Sequence, residues 1–429
     1  MKSKVKRRKA RNRSVKTRKS RKSVRAAEKT KAQPAKIRVL FLGAKEFPFG
    51  ARTAFKNDSL PSGGIEAYAD ALACELAKNP TLEITVVTRR FPGQKQSEKI
   101  AGVNVERVPW MKGFLLRNPS YNYHAFRAAR KLGFDVVHAH GPVAALFAEK
   151  LGKSVVATPH GVASGQPQYN PAVKVVLKSV ERRAYSRAEA VVFLSGEERV
   201  SFKEKLGFLP RRCATIPPGV DLRKYSPEAN ARAAAKIHAQ LGLAGKFVVI
   251  FVGRLIAVKG VKHLIDAAAL SKAEDCTKCV LLIAGDGPER GALEKQAEML
   301  GISSRIKFLG ERRDVPALLA ASDCFVLPSL SEGMPMALLE AMAAKRPCVV
   351  TRIGLPVRDG REALVVAPGN ARELELAVSE IGADAGLRRR LAGNAFAFAK
   401  KFSWKNAAKR HAELYAELCG NVERVPRKK

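Results

Sequence analysis

Two carboxylates and two cations carry most of the chemical information in this sequence. Glu332 and Glu340 bracket the stretch EGMPMALLE, with seven residues between them. Arg254 and Lys259 have four residues between them, lie beside Gly253 and Gly260, and follow the apolar run KFVVIFV. Cations at a strand's carboxyl end, next to a glycine-opened helix, suit a diphosphate, since the helix start adds free N–H groups and partial positive charge. A carboxylate beside such a site would repel phosphate unless it served another part of the same ligand. A sugar, rich in hydroxyl donors, is such a part. The plain alternative is a helix-capping Glu332, a half-exposed Glu340 and a surface Arg–Lys pair.

The elements that must position these groups follow a repeated plan. CFVLPS reads as a buried strand, and Glu332, Gly333 and Pro335 make a turn that opens a helix, with Pro335 near its first position. Met336, Leu339 and Ala343, with Leu338 and Met342, give that helix two apolar rows. At the other end of the chain, IRVLFLGAKEFPFG starts as a strand, and Ser62-Gly63-Gly64 opens a helix along Ile65, Tyr68, Ala69, Leu72 and Leu76. Glycines at a helix start let a ligand approach backbone N–H groups, although a plain turn is the commoner reading.

ITVVT, VNVERVP, DVVHAH, SVVAT and AVVFLS are further short apolar runs, most of them separated by helical stretches. That alternation predicts an open, mainly parallel α/β sheet, whose ligands sit beyond the strands' carboxyl ends. His140 and His160 fall there, in HAHGP and ATPHG, whereas His138 lies within its strand and reads as core. Pro159 and Gly161 shape a tight loop around His160, from which a sugar hydroxyl or phosphate could be bound. His140 reads either as an acceptor-side residue or as a packed one. ATIPPGVDLRKYSP reads as an interdomain segment, after which the strand–turn–helix plan begins again. LLIAGDGPER supplies a strand and a structural turn, and the end of RIKFLGER, Phe308 to Gly310, is expected to edge a base pocket. FSWKNAAKRHAELYAELC closes the chain as an amphipathic helix capped by Ser403.

From about Ile37 onward the sequence resembles the retaining glycosyltransferases of family four, the group 1 glycosyltransferases. The resemblance rests on the E-x7-E stretch, the Arg254/Lys259 pair, the His160-Gly161 turn and the Gly63-Gly64 loop. It implies an α/β fold of the GT-B type, two Rossmann-like domains facing across a cleft. It also implies boundaries: a disordered basic tail at 1–36, an acceptor-side domain at 37–217, a linker at 218–227, a nucleotide-sugar-binding domain at 228–398, and a last helix at 399–420 crossing back to the first domain.

For the site, the resemblance places Arg254 and Lys259 on the donor diphosphate and Glu340 on the nucleotide ribose. Glu332 and His160 fall near the transferred sugar, and Gly63, Gly64, Gly253, Gly333, Met334, Pro335 and Leu339 complete the donor site. The loops around Trp110–Tyr123 and Ser164–Tyr169, aromatic or polar and irregular, read on their own as the acceptor side, with His140 as a candidate there. No cofactor or metal is expected beyond the nucleotide-diphosphate sugar as co-substrate, with a carbohydrate or lipid-linked acceptor. An epimerase or sugar phosphorylase on the same fold is the nearest alternative reading. The turn in TRIGLPVRDGREALVV departs from the family, being several residues short and lacking a glutamate.

Composition sets the remaining bounds. A chain of 429 residues exceeds one ordinary core. The net charge is +39, and residues 1–36 hold 17 Lys and Arg against one acid, Glu28, leaving +23 for the rest. With only Val and Ala as apolar residues beyond Met1, that tail is expected to be disordered and lacks the apolar core of a secretory signal. Such charge attracts anionic lipid or nucleic acid without sequence preference, so a basic nucleic-acid-binding protein is the reading from another class. An anionic membrane surface is the preferred partner, with no specific nucleic acid and a cytoplasmic, peripheral location. No run approaches a membrane span. Seven cysteines, an odd number, point to reduced thiols, and the Cys276/Cys279 pair lacks the second pair a zinc site needs.

Overall fold

A computed structural model of the chain describes residues 36–49, 63–111, 113, 116–165, 169–271 and 279–420. The disorder expected of the tail concerns residues 1–35, which lie outside the described residues, as do Ser62 and Cys276.

Among the described residues the strands form two sheets. The first contains β1 (Ile37–Leu42), β2 (Leu82–Arg89), β3 (Ser97–Ile100), β4 (Val103–Val108), β5 (Val136–His140), β6 (Ser154–Thr158), β7 (Ala190–Phe193) and β8 (Cys213–Thr215). Its order is β3-β4-β2-β1-β5-β6-β7-β8, and only β3 runs antiparallel to its neighbour. The second contains β9 (Phe247–Val252), β10 (Cys279–Ala284), β11 (Ile306–Gly310), β12 (Cys324–Leu327), β13 (Cys348–Thr351) and β14 (Leu364–Val366). Its order is β11-β10-β9-β12-β13-β14, wholly parallel.

The apolar runs predicted as strands are strands because helices cover both faces. Every residue of β5, β7, β12 and β13 is buried. The two Rossmann-like halves of a GT-B fold are therefore present. Residues 216–226, between β8 and the helix Pro227–Leu241, contain neither strand nor helix, consistent with a connecting segment.

The last helix, Trp404–Leu418, lies against the helix Gly64–Leu76 and β1. Ser403 caps it, accepting from the Asn406 N–H at 3.4 Å. Its Tyr415 hydroxyl is 2.7 Å from His138 Nδ1, inside the first sheet's core. The connecting segment passes so close to its start that a Cβ on Gly219 would stand 2.1 Å from the Trp404 nitrogen. The backbones meet there too, with the Val220 N–H donating to the Phe402 carbonyl at 3.2 Å.

Cys74, Cys213, Cys279, Cys324, Cys348 and Cys419 form no disulfide among the described residues. No described helix is long and apolar enough to cross a membrane.

Candidate active site

Both halves contribute to one cleft of ≈ 660 Å³. From the first come Gly63, Gly64, His160, Gly161 and Glu198, and from the second Gly253, Arg254, Lys259, Glu332–Pro335 and Glu340.

Arg254 and Lys259 stand beyond the carboxyl end of β9. A tight turn carries them, with the Lys259 N–H on the Ile256 carbonyl at 2.9 Å and Gly260 at φ +62°. Gly260 also lies directly under the end of β12, where a Cβ would come 2.2 Å from the Pro328 carbonyl oxygen. A side chain there would be both strained and obstructed. Arg254 is exposed to the cleft and reaches across it, its Cδ within 3.2 Å of where a Cβ on Gly63 would be.

The turn after β12 holds Glu332. Its Oε1 accepts from the Ser329 hydroxyl at 2.9 Å and is ion-paired with Lys259 Nζ. Two groups separated by 73 positions in sequence thus share one charge contact. Pro335 is the N-cap of the helix Met336–Ala343, one position earlier than expected. Glu340 borders the cleft from within that helix and takes a hydrogen bond from the Tyr225 hydroxyl, while burial raises its pKa. Leu339, expected in the donor site, is fully buried and does not line the cleft, because it turns into the sheet with Leu338 and Met342.

His160 has φ +57°, unusual for a residue with a side chain, and Gly161 follows at +90°. The loop is held from two sides. Glu198 accepts from the Gly161 and Leu194 N–H groups, each at 2.6 Å, and His140 Nδ1 is 3.1 Å from His160 Nε2. Burial, with Lys45 as a lesser cause, holds the His160 imidazole down to about 3, so it is neutral at ordinary pH. His140, read from sequence as a candidate acceptor residue, does not line the cleft. It is 4% exposed and sits behind His160, because β5 ends one layer below the loop.

Other cleft residues escaped the sequence reading. Lys45 follows β1 and lines the cleft; burial, followed by Arg89, Arg254 and Arg117, lowers its pKa against the opposing effect of Glu66. Its position just beyond a parallel strand was the available signal. Glu198 sits in the pattern Ser195-x-x-Glu198, which reads as a helix cap, and its own N–H does bond the Ser195 hydroxyl at 3.0 Å. Nothing local announces its bond to Gly161 or its approach to Gly333, where a Cβ would lie 3.3 Å from its carboxyl carbon. Phe308–Gly310 do not line the cleft, whereas Glu311, Arg312 and Arg313, directly after them, do. The short turn at 352–362 contributes nothing to the cleft lining; Gly354 faces Glu197 instead, and Arg358 pairs with Glu362 at 2.7 Å. Among the described residues there is no His, Cys, Asp and Glu group suited to a metal ion.

Comparison with known proteins gives the family and the fold. The family described as glycosyl transferases group 1 matches residues 246–384, and glycosyltransferase family 4 matches residues 62–224. An α-D-kanosaminyltransferase of Streptomyces kanamyceticus is 30% identical over 357 residues, 78% of this chain and 90% of that protein. A D-inositol 3-phosphate glycosyltransferase of Corynebacterium urealyticum is 30% identical over 325 residues, 70% of this chain and 76% of that one. The Anabaena protein HepE, solved with UDP-glucose, superposes with a TM-score of 0.72 at 23% identity, covering 89% of this chain and all of that one (100%). Fold and cleft together define a glycosyltransferase of the GT-B type. The chain belongs to family four, the group 1 glycosyltransferases.

Proposed function

We propose that the chain is a retaining, metal-independent glycosyltransferase that moves a sugar from a nucleotide-diphosphate donor to an acceptor hydroxyl. The observation that carries this reading is the convergence of Arg254, Lys259, Glu332 and Glu340 on one cleft from separate parts of the sequence. As the sugar–phosphate bond lengthens, charge grows on the leaving oxygens, where Arg254 and Lys259 would stabilise it in place of a metal. Glu340 would hold the ribose, and Glu332, His160 and the backbone of Gly333–Pro335 the sugar.

Retention by double displacement needs a carboxylate free to attack the sugar. In this cleft Glu66 accepts from Gly63, Glu198 from two amides, Glu332 from Lys259 and Ser329, Glu340 from Tyr225 and Asp286 from Gly287 and Arg290, and Glu311 is engaged as well. Their commitment supports a front-face reaction instead. The acceptor oxygen bonds to the anomeric carbon as the carbon–phosphate-oxygen bond breaks, and the departing phosphate takes the acceptor proton.

Thermal unfolding with UDP-, GDP- and ADP-sugars tests the donor class. The matching donor at about 100 times its Kd adds about 2.7 kcal/mol to stability and raises Tm. A product with the donor's anomeric configuration is expected by NMR. An inverted product, or no stabilisation by any nucleotide sugar, would overturn the proposal.

The basic tail is proposed to hold the enzyme peripherally on an anionic, cytoplasmic membrane face, near a lipid-linked or other carbohydrate acceptor. Each cation near such a surface is worth about 1 kcal/mol, weakened by salt. Deleting residues 1–36 is expected to abolish salt-sensitive binding to phosphatidylserine vesicles and leave turnover on a soluble acceptor unchanged. Vesicle binding by the truncated chain would refute this role.

A further inference from the structure

A row of buried rings runs from the last helix to the cleft. His411 Nε2 lies 3.4 Å from the Tyr68 hydroxyl, and His138 is held between the Tyr415 hydroxyl at 2.7 Å and the Thr158 hydroxyl at 2.8 Å. His138 stacks on His140 with ring centroids 4.5 Å apart, and His140 Nδ1 meets His160 Nε2 at 3.1 Å. Tyr68 presents an edge contact to His160 at 5.0 Å. Only the last imidazole of the row, His160, lines the cleft.

One proton is shared between the two nitrogens at the His140–His160 contact, and its location fixes both tautomers. The other nitrogen of His140, Nε2, is buried and has no partner among the described residues. Were the shared proton on His160, His140 would carry its own proton on Nε2, as a buried N–H with no acceptor. With the shared proton on His140, Nε2 is only an unused lone pair. Orphaned buried N–H groups are the rarer and costlier of the two.

We infer that His140 is a positioning residue. It donates its Nδ1–H to His160 Nε2, so that His160 keeps its own proton on Nδ1 and offers it to the donor sugar. His160 then enters the cleft as an uncharged hydrogen-bond donor of fixed orientation. The same bond, together with Glu198 on Gly161, holds the loop at its left-handed backbone angle. This rests on the reading of His160 as a donor-site residue, but the tautomer can be measured without turnover.

The test is a ¹⁵N–¹H spectrum of the histidine side chains in the intact chain, with His160 assigned by the loss of its signals in His160→Gln. The expected spectrum shows His160 protonated at Nδ1 and bare at Nε2. His140→Asn puts an amide nitrogen the same number of bonds from Cα as Nδ1, and is expected to keep that pattern and turnover within about threefold. His140→Phe keeps the bulk but not the donor. It should mix the tautomers and lower kcat about tenfold, the worth of one hydrogen bond. A wild-type His160 protonated at Nε2 overturns the inference whatever the variants do. So does a folded His140→Phe with unchanged tautomer and kcat.

Discussion

Alanine in place of Arg254 or Lys259 is expected to lower kcat about 10²-fold or more, the usual effect of removing a donor to a transition-state anion. Both side chains leave a polar turn after β9, and the turn is built by backbone bonds and by Gly260 rather than by these side chains. Folding should therefore survive, which circular dichroism checks before kinetics are read. The two losses differ in kind. Arg254 has no charged partner among the described residues, so its removal subtracts only from the ligand. Lys259 is paired with Glu332, so its removal also leaves that carboxylate held by Ser329 alone. A bare acid would then face the diphosphate, and Lys259→Ala is expected to raise the donor KM as well. Unchanged turnover in either folded variant would count heavily against a diphosphate at this end of the cleft.

The two glutamates should separate binding from transfer. Glu340→Ala is expected to weaken the free nucleoside diphosphate about tenfold or more, the cost of a hydrogen bond to a charged group. Glu332→Ala removes Lys259's internal counter-charge, so nucleoside diphosphate binding should stay the same or tighten while sugar transfer falls. Calorimetric titration of both variants decides this. Weak nucleotide binding by Glu332→Ala beside normal binding by Glu340→Ala would mean the two roles are interchanged.

The buried strands and the E-x7-E helix were legible because burial leaves a local trace in apolar runs and glycine turns. β3, SEKI, and β8, CAT, were not, since short edge strands carry little apolar signal. Arg254 and Lys259 were legible from their place after a strand. Their partners were not, because the Lys259–Glu332 pair and the Glu198–Gly161 bond join distant segments that only packing brings together. Leu339 marks the limit of periodicity. It precedes Glu340 directly, and about 100° of helical rotation separates a core side chain from one on the cleft. His140 marks the limit of position, since the end of a strand can lie behind a site as well as in it.

The last helix has a consequence for the order in which this protein can be made. Chains emerge from the ribosome amino end first, and the earlier half ordinarily folds first. Here Tyr415 and His411 bond to His138 and Tyr68, so the early half waits for residues 404–418 before its interior is closed. Until residues 404–418 arrive, the face of the helix Gly64–Leu76 that they cover stays open to solvent or to a chaperone. The histidine row behind His160 is therefore completed only after both sheets have been synthesised, and a ribosome stalled before Trp404 would display a first sheet without its histidine support.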